Sequence, residues 1–115
     1  TIKSPGNNPH IITVGGYDEN KNEIADFSSR GPTIFGFKPD LVAPAVDVIA
    51  CSNSLSPYTT MSGTSVSTPI VAGICADLKS KFPNIKNTQI KQFLMNNCQR
   101  LTGDRNVEGS GLLQF

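Results

Sequence analysis

The 115-residue sequence contains one histidine, three cysteines, no long apolar run and no block of like charge. The longest apolar stretch, around Ile70 to Ala76, is far short of the roughly 20 residues a membrane-spanning helix requires. No basic opening leads into an apolar segment, as a secretory signal would. Ten basic and nine acidic residues leave a net charge of +1, so neither a nucleic-acid nor a membrane partner is expected. Three cysteines, Cys51, Cys75 and Cys98, are too few for a disulfide scaffold, and their odd number leaves at least one thiol unpaired. Cys75 and Cys98 fall on apolar helical faces, where free thiols pack as small hydrophobes. That leans towards a reducing compartment. The chain opens on Thr1 rather than Met, and a processed or excised piece of a longer polypeptide is expected.

What is present suits a folded domain. Ile, Leu, Val and Phe make up about 26% of positions, above the roughly 20% below which chains tend to stay disordered. Turn formers fill the first ten residues. Ile11 to Val14 is a β-branched run closed by Gly15-Gly16, a strand signal, and Asp18 to Glu23 reads as a solvated turn. Leu41 to Ala43 and Val46 to Cys51, separated by Pro44, suggest short buried strands, and Tyr58 to Met61 suggests another. The period changes after Gly63. Ile70, Val71, Ile74, Cys75, Leu78 and Phe82 recur at helical spacing, with Thr68 as the expected cap and Pro69 in the first turn. The first half of this helix is so apolar that it should be buried on most sides. Pro83 stops it. A second helix is expected from about Asn87, as its cap, to Cys98. Strands followed by two helices fit part of an α/β or α+β domain.

Gly63-Thr64-Ser65-Val66-Ser67-Thr68-Pro69 leads straight into the apolar helix. A serine at such a point benefits from the helix dipole and from unpaired N–H groups, both of which favour developing negative charge. Small neighbours let a substrate backbone approach. Spacing alone favours the plainer reading, that Ser65, Ser67 and Thr68 cap a helix.

At this point the sequence resembles a known family. GTSVSTPIVAG, Gly63 to Gly73, is similar to the nucleophile segment of the subtilisin-like serine proteases, G-T-S-x-[AS]-x-P-x-x-[AS]-G. KPDLVAPA, Lys38 to Ala45, resembles K-P-D-[LI]-x-A-P-G, and FSSRGP, Phe27 to Pro32, resembles F-S-[SN]-x-G. IITVGGYD, Ile11 to Asp18, resembles V-I-x-V-G-A-x-D. NIKNTQIKQFL and GSGLLQF resemble the last elements of the domain. The six segments occur in family order and cover nearly the whole chain.

The resemblance implies an α/β fold, the C-terminal portion of a doubly wound, mostly parallel sheet, with residues 1–115 forming part of a catalytic domain. It implies that Ser65 attacks a peptide carbonyl to give an acyl-enzyme, with its own N–H as one oxyanion donor. A histidine would take the proton and an aspartate would orient the histidine. The expected partner is a protein or peptide substrate. The mechanism needs no cofactor, and no metal site is expected. Some members place a carboxylate near a weak cation site at the position of Asp40; taken alone, Asp40 reads as a capping or surface residue. Ala45 stands where the family usually has Gly, which would strain the chain if that position needs a positive φ. Val66 replaces the common Met beside the nucleophile.

The family order is Asp, His, Ser. The single histidine, His10, lies where the family has no catalytic residue, and residues 1–9 contain neither Asp nor Glu. A complete triad therefore requires an upstream part of the same domain, and this chain alone is expected to be inactive. An alternative is a pseudoprotease or binding module on the same scaffold. The isolated chain is expected to expose apolar surface around Ile70 to Cys75 and an open sheet edge, and so to oligomerise, swap domains, stay partly disordered or aggregate. Family members are often secreted whereas the free thiols lean the other way, which leaves the compartment open.

Overall fold

A computed structural model describes all of residues 1–115. Ten elements follow one another: β1 (Val14–Asp18), β2 (Glu23–Ile24), β3 (Leu41–Pro44), β4 (Val48–Cys51), β5 (Tyr58–Met61), α1 (Thr64–Lys81), α2 (Asn87–Asn96), β6 (Cys98–Gln99), α3 (Arg105–Glu108) and β7 (Leu112–Leu113). Five strands form one sheet in the order β2-β1-β3-β7-β6, while β4 and β5 pair separately. The ladders β1–β3 and β3–β7 are parallel, and the outer pairs β1–β2 and β6–β7 are antiparallel. The architecture is thus an α/β unit with a mixed, mostly parallel sheet, as the motifs implied.

Strand β3 is the axis of the molecule. Leu41, Val42 and Ala43 are wholly buried, as expected of a parallel strand covered on both faces. Leu41 and Ala43 point towards Val71 and Leu78 of α1, Ile90 and Leu94 of α2, and Leu113. Val42 points the other way and packs with Tyr17 and Ile24, against which Leu101, Val107 and Leu112 also lie. Burying each of Leu41 and Leu94 contributes about 2 kcal/mol.

Strand β1 begins three residues later than the β-branched run suggests. The Thr13 N–H donates to Asp40 Oδ2 at 2.8 Å and its hydroxyl to the Gly6 carbonyl at 2.6 Å. Pairing with β3 starts only at Val14, opposite Leu41. Gly15 and Gly16 do not close the strand but run inside it. A Cβ at Gly15 would stand 2.9 Å from both Ser28 Oγ and Val42 Cγ1, so the glycine marks a close approach rather than a turn. Asp18, expected in a solvated turn, is buried at the end of β1. There its Oδ1 accepts the N–H groups of Asn20 and Lys21, an Asx-type turn.

Two other expectations are corrected. The run ending at Cys51 forms a strand, but not a buried one: Ile49 is 74% exposed, and the β4–β5 hairpin stands clear of the main sheet. The outer edge of β1 is not open either. Beyond its pairing with β2, the Gly16 N–H donates to Ser28 Oγ and the Gly16 carbonyl accepts the Ala25 N–H. Apolar surface is uncovered on α1, as expected, where Pro69, Ala72, Gly73 and Ala76 are exposed and only Val66, Ser67, Val71 and Leu78 are buried. The helix is therefore buried on one side, not on most.

Helix α2 is capped one residue earlier than expected, at Lys86, whose N–H is taken by Gln89 Oε1 at 2.8 Å. It ends at Asn96, which places Cys98 in strand β6 rather than on a helix.

Candidate functional site

Helix α1 starts at Thr64, five residues before Pro69, so Thr68 is not its cap. Thr68 Oγ1 and Ser67 Oγ both turn back onto the Thr64 carbonyl, at 2.8 and 3.2 Å. Pro69 lies inside the helix, where its missing N–H forfeits one bond, the one Ser65's carbonyl would have accepted. The cap position belongs to Gly63, at φ 134°, with no side chain to accept the first N–H groups. This backbone region is open to glycine and strained for other residues. It turns the chain sharply from β5 into the helix.

Ser65 is the second residue of α1 and is exposed. Its hydroxyl takes part in no hydrogen bond, unlike those of Ser67 and Thr68. No acidic residue occupies the first turn of the helix. The positive end of the helix dipole and the first unpaired N–H groups therefore face solvent beside Ser65, uncompensated by the chain's own carboxylates. The arrangement can present a free hydroxyl and stabilise an oxyanion next to it.

The turn is tied to the sheet through Ala45. The Gly63 N–H donates to the Ala45 carbonyl at 2.7 Å, and the Ala45 N–H donates to the Tyr17 carbonyl at 2.9 Å. The Gly63 carbonyl in turn accepts the Val66 N–H at 2.9 Å. Ala45 is wholly buried, and the only non-glycine residues at positive φ are Asn22 and Asp47. The alanine thus carries no backbone strain.

His10 is not brought to this place. It lines an open cavity of about 470 Å³ with Pro9, Ile12, Cys75, Asn87, Ile90 and Lys91 among its other walls. Cys75 is ten positions along α1 from Ser65, about 15 Å along the helix axis. The histidine therefore lies beside the second half of the helix, away from the serine at its start.

Asp40 is neither a surface nor a capping residue. Its side chain is 6% exposed and held by two lysines: Lys38 Nζ lies 2.7 Å from Oδ2 and Lys91 Nζ 3.2 Å from Oδ1. Lys38 also donates to the Ile11 carbonyl and Thr13 Oγ1, and Lys91 to the carbonyls of Pro9 and Ile11. The carboxylate clamps the opening loop and α2 onto the start of β3, with one ammonium group on each of its oxygens. Sequence reading missed this cluster. Its one local signal is the Lys-x-Asp spacing, which puts both side chains on one side of an extended chain.

Glu108 is fully buried behind the sheet. Burial pushes its carboxyl pKa up, but hydrogen bonds from Thr102 Oγ1 and from the N–H groups of Leu101, Thr102 and Gly103 outweigh that and hold it below the ordinary value. The three thiols are free. Burial pushes Cys98 up to about 11, and it raises Cys75 too, opposed by a backbone hydrogen bond.

The model of the subtilase family matches residues 1–111. Serine protease AprX of Bacillus subtilis is 39% identical over 96% of this chain, and Subtilisin BL of Lederbergia lenta 38% over 98%. Among solved structures, the CspB protease of Clostridium perfringens superposes with a TM-score of 0.87 at 30% identity over 98% of the chain. Sphericase does so with a TM-score of 0.81 at 26% identity over 99%. The chain belongs to the subtilase family of serine proteases. It spans 30% of AprX, 39% of Subtilisin BL, 26% of CspB and 43% of sphericase.

Proposed function

We propose that Ser65 is the nucleophile of a serine endopeptidase, and that residues 1–115 are the nucleophile-bearing part of its catalytic domain. The observation that carries this reading is the unengaged Ser65 hydroxyl, exposed in the first turn of α1 two residues after a positive-φ glycine. In the reaction, Ser65 Oγ adds to the peptide carbonyl as a base takes its proton. The developing oxyanion is stabilised by the N–H groups at the helix start. The amine then leaves with a proton, and water hydrolyses the resulting ester.

The base and its orienting carboxylate come from the part of the domain that the relatives possess beyond the matched third or so of their length. His10, beside the second half of α1, does not serve. That same part covers the exposed Pro69, Ala72, Gly73 and Ala76 side of the helix. Helix packing at small residues brings backbones close, and a Cβ at Gly73 meets nothing within 4 Å in this chain. The substrate is a protein or peptide.

The test is labelling by a fluorophosphonate, which forms an Oγ–P bond with loss of fluoride only at an activated serine. The full-length polypeptide should be labelled and should cleave a protein substrate. Ser65→Ala should abolish both, while His10→Ala should stay within about twofold of wild type. Residues 1–115 alone should take no label and should associate in light scattering. Absence of labelling in the full-length protein, with its fold intact, would overturn the endopeptidase reading in favour of a binding module on the same scaffold.

A further inference from the structure

We infer that Gly16 and Ala45 form a coupled pair that positions the Ser65 turn, in which only one of the two residues can carry a Cβ. The inference rests on Ser65 being the nucleophile.

The geometry is specific. A Cβ built on Gly16 would stand 2.8 Å from Ala45 Cβ, 3.2 Å from Phe27 Cε1 and 3.6 Å from Thr64 Cγ2. The first distance is closer than side-chain carbons approach in close-packed interiors, so something must move. Gly16 is the less free of the two. Its strand is laddered to β3, its N–H is held by Ser28 Oγ at 3.0 Å, and its carbonyl accepts the Ala25 N–H at 2.9 Å. Ala45 lies just past the end of β3, where its N–H bond to the Tyr17 carbonyl at 2.9 Å is its tie to the sheet, and it takes up the displacement. Its carbonyl holds the Gly63 N–H at 2.7 Å, and Gly63 starts the helix two residues before Ser65. A displacement of Ala45 is therefore delivered to the nucleophile's own turn, and the Thr64 methyl meets the same added carbon.

The sequence carries the matching signature. IITVGGYD has Gly16 where the strand pattern V-I-x-V-G-A-x-D has Ala, and KPDLVAPA has Ala45 where K-P-D-[LI]-x-A-P-G has Gly. The two departures lie far apart in sequence and meet in space. One methyl group has changed sides of a single contact.

The experiment is a double-mutant cycle in the full-length polypeptide, read by fluorophosphonate inactivation of Ser65 and by thermal melting. Inactivation is resolved into the maximal rate and the half-saturating probe concentration, well below the melting transition. Gly16→Ala should lower the maximal rate about tenfold and leave the half-saturating concentration within twofold. Ala45→Gly should stay within twofold of wild type. The double variant should recover to within about threefold. If Gly16→Ala does not fold, Ala45→Ser, which adds one atom to the same contact, should slow the maximal rate in the same sense, and the double variant should still fold and react. Equal maximal rates in all folded variants, with only the melting temperature changed, would overturn the positioning role. A double variant no better than Gly16→Ala would overturn the shared contact itself. A wild type that never reacts would instead overturn the nucleophile reading, and the positioning role with it. Recovery of the melting temperature in the double variant would still report on the steric pair.

Discussion

Lys38 and Asp40 form an ion pair at 2.7 Å whose side chains are only 4% and 6% exposed. Two residues apart in sequence, they join three parts of the chain: the opening loop through the Ile11 carbonyl, the start of β1 through Thr13, and α2 through Lys91. Their weight in stability lies in what happens when one is removed, because a buried charge without its partner is far more costly than the pair is favourable.

Asp40→Asn should therefore lower stability by about 3 kcal/mol, since it leaves the Lys38 ammonium without a carboxylate and offers one accepting oxygen where Lys38, Lys91 and the Thr13 N–H all donate. Lys91→Met should cost about 1 kcal/mol or less, because Lys91 is the more exposed partner. Chemical denaturation of the Ser65→Ala protein, in which self-cleavage cannot intervene, measures both. Equal losses for the two variants would contradict the clamp described above.

Glu108 makes stability pH-dependent in a defined direction. Its carboxyl has a lower pKa folded than unfolded, so on acidification the unfolded chain takes up the proton first. The stabilisation is present in full above the ordinary glutamate range, and it is lost as pH falls from there through the folded value. Glu108→Gln should be destabilised near neutrality by about 1–3 kcal/mol, because an amide cannot accept all the donors now aimed at the carboxylate. Its deficit against wild type should shrink towards pH 3. Denaturation midpoints across that range read the difference.

The thiols should separate by reactivity. Cys51 is exposed on β4, whereas Cys98 is pushed up to about 11 by burial and hydrogen-bonds the Leu94 carbonyl. Thiolate is the reacting form. A disulfide reagent at mildly alkaline pH should modify Cys51 at least tenfold faster than Cys75 or Cys98 in folded residues 1–115 or any folded form in which β4 stays exposed. Cys51→Ser should remove the fast phase.

Much of this was legible in the linear sequence. The change of period after Gly63 announces a helix, the apolar residues from Ile70 to Leu78 set that period, and the six ordered motifs name the family. Strands preceding helices left α/β and α+β open, and the resemblance chose α/β. These features are local: backbone freedom, hydrophobic period and short-range spacing act between neighbours in the chain and can be read there.

Where the helix begins was decided otherwise. Pro69 and Thr68 look like a helix start by local preference, yet the bond from the Gly63 N–H to Ala45 fixes the turn five residues earlier. Gly15-Gly16 looks like a strand end, yet Ser28, Val42 and Ala45 crowd it from remote parts of the chain and make it a strand interior. Asp40 looks like a surface carboxylate until Lys91, some fifty residues later in the sequence, arrives beside it. The sequence by itself determined the family, the period of its helices and the identity of the candidate serine. Only the tertiary structure decided which side chains share a contact, because excluded volume and the pairing of buried charge act through space between residues whose separation along the chain carries no trace of it.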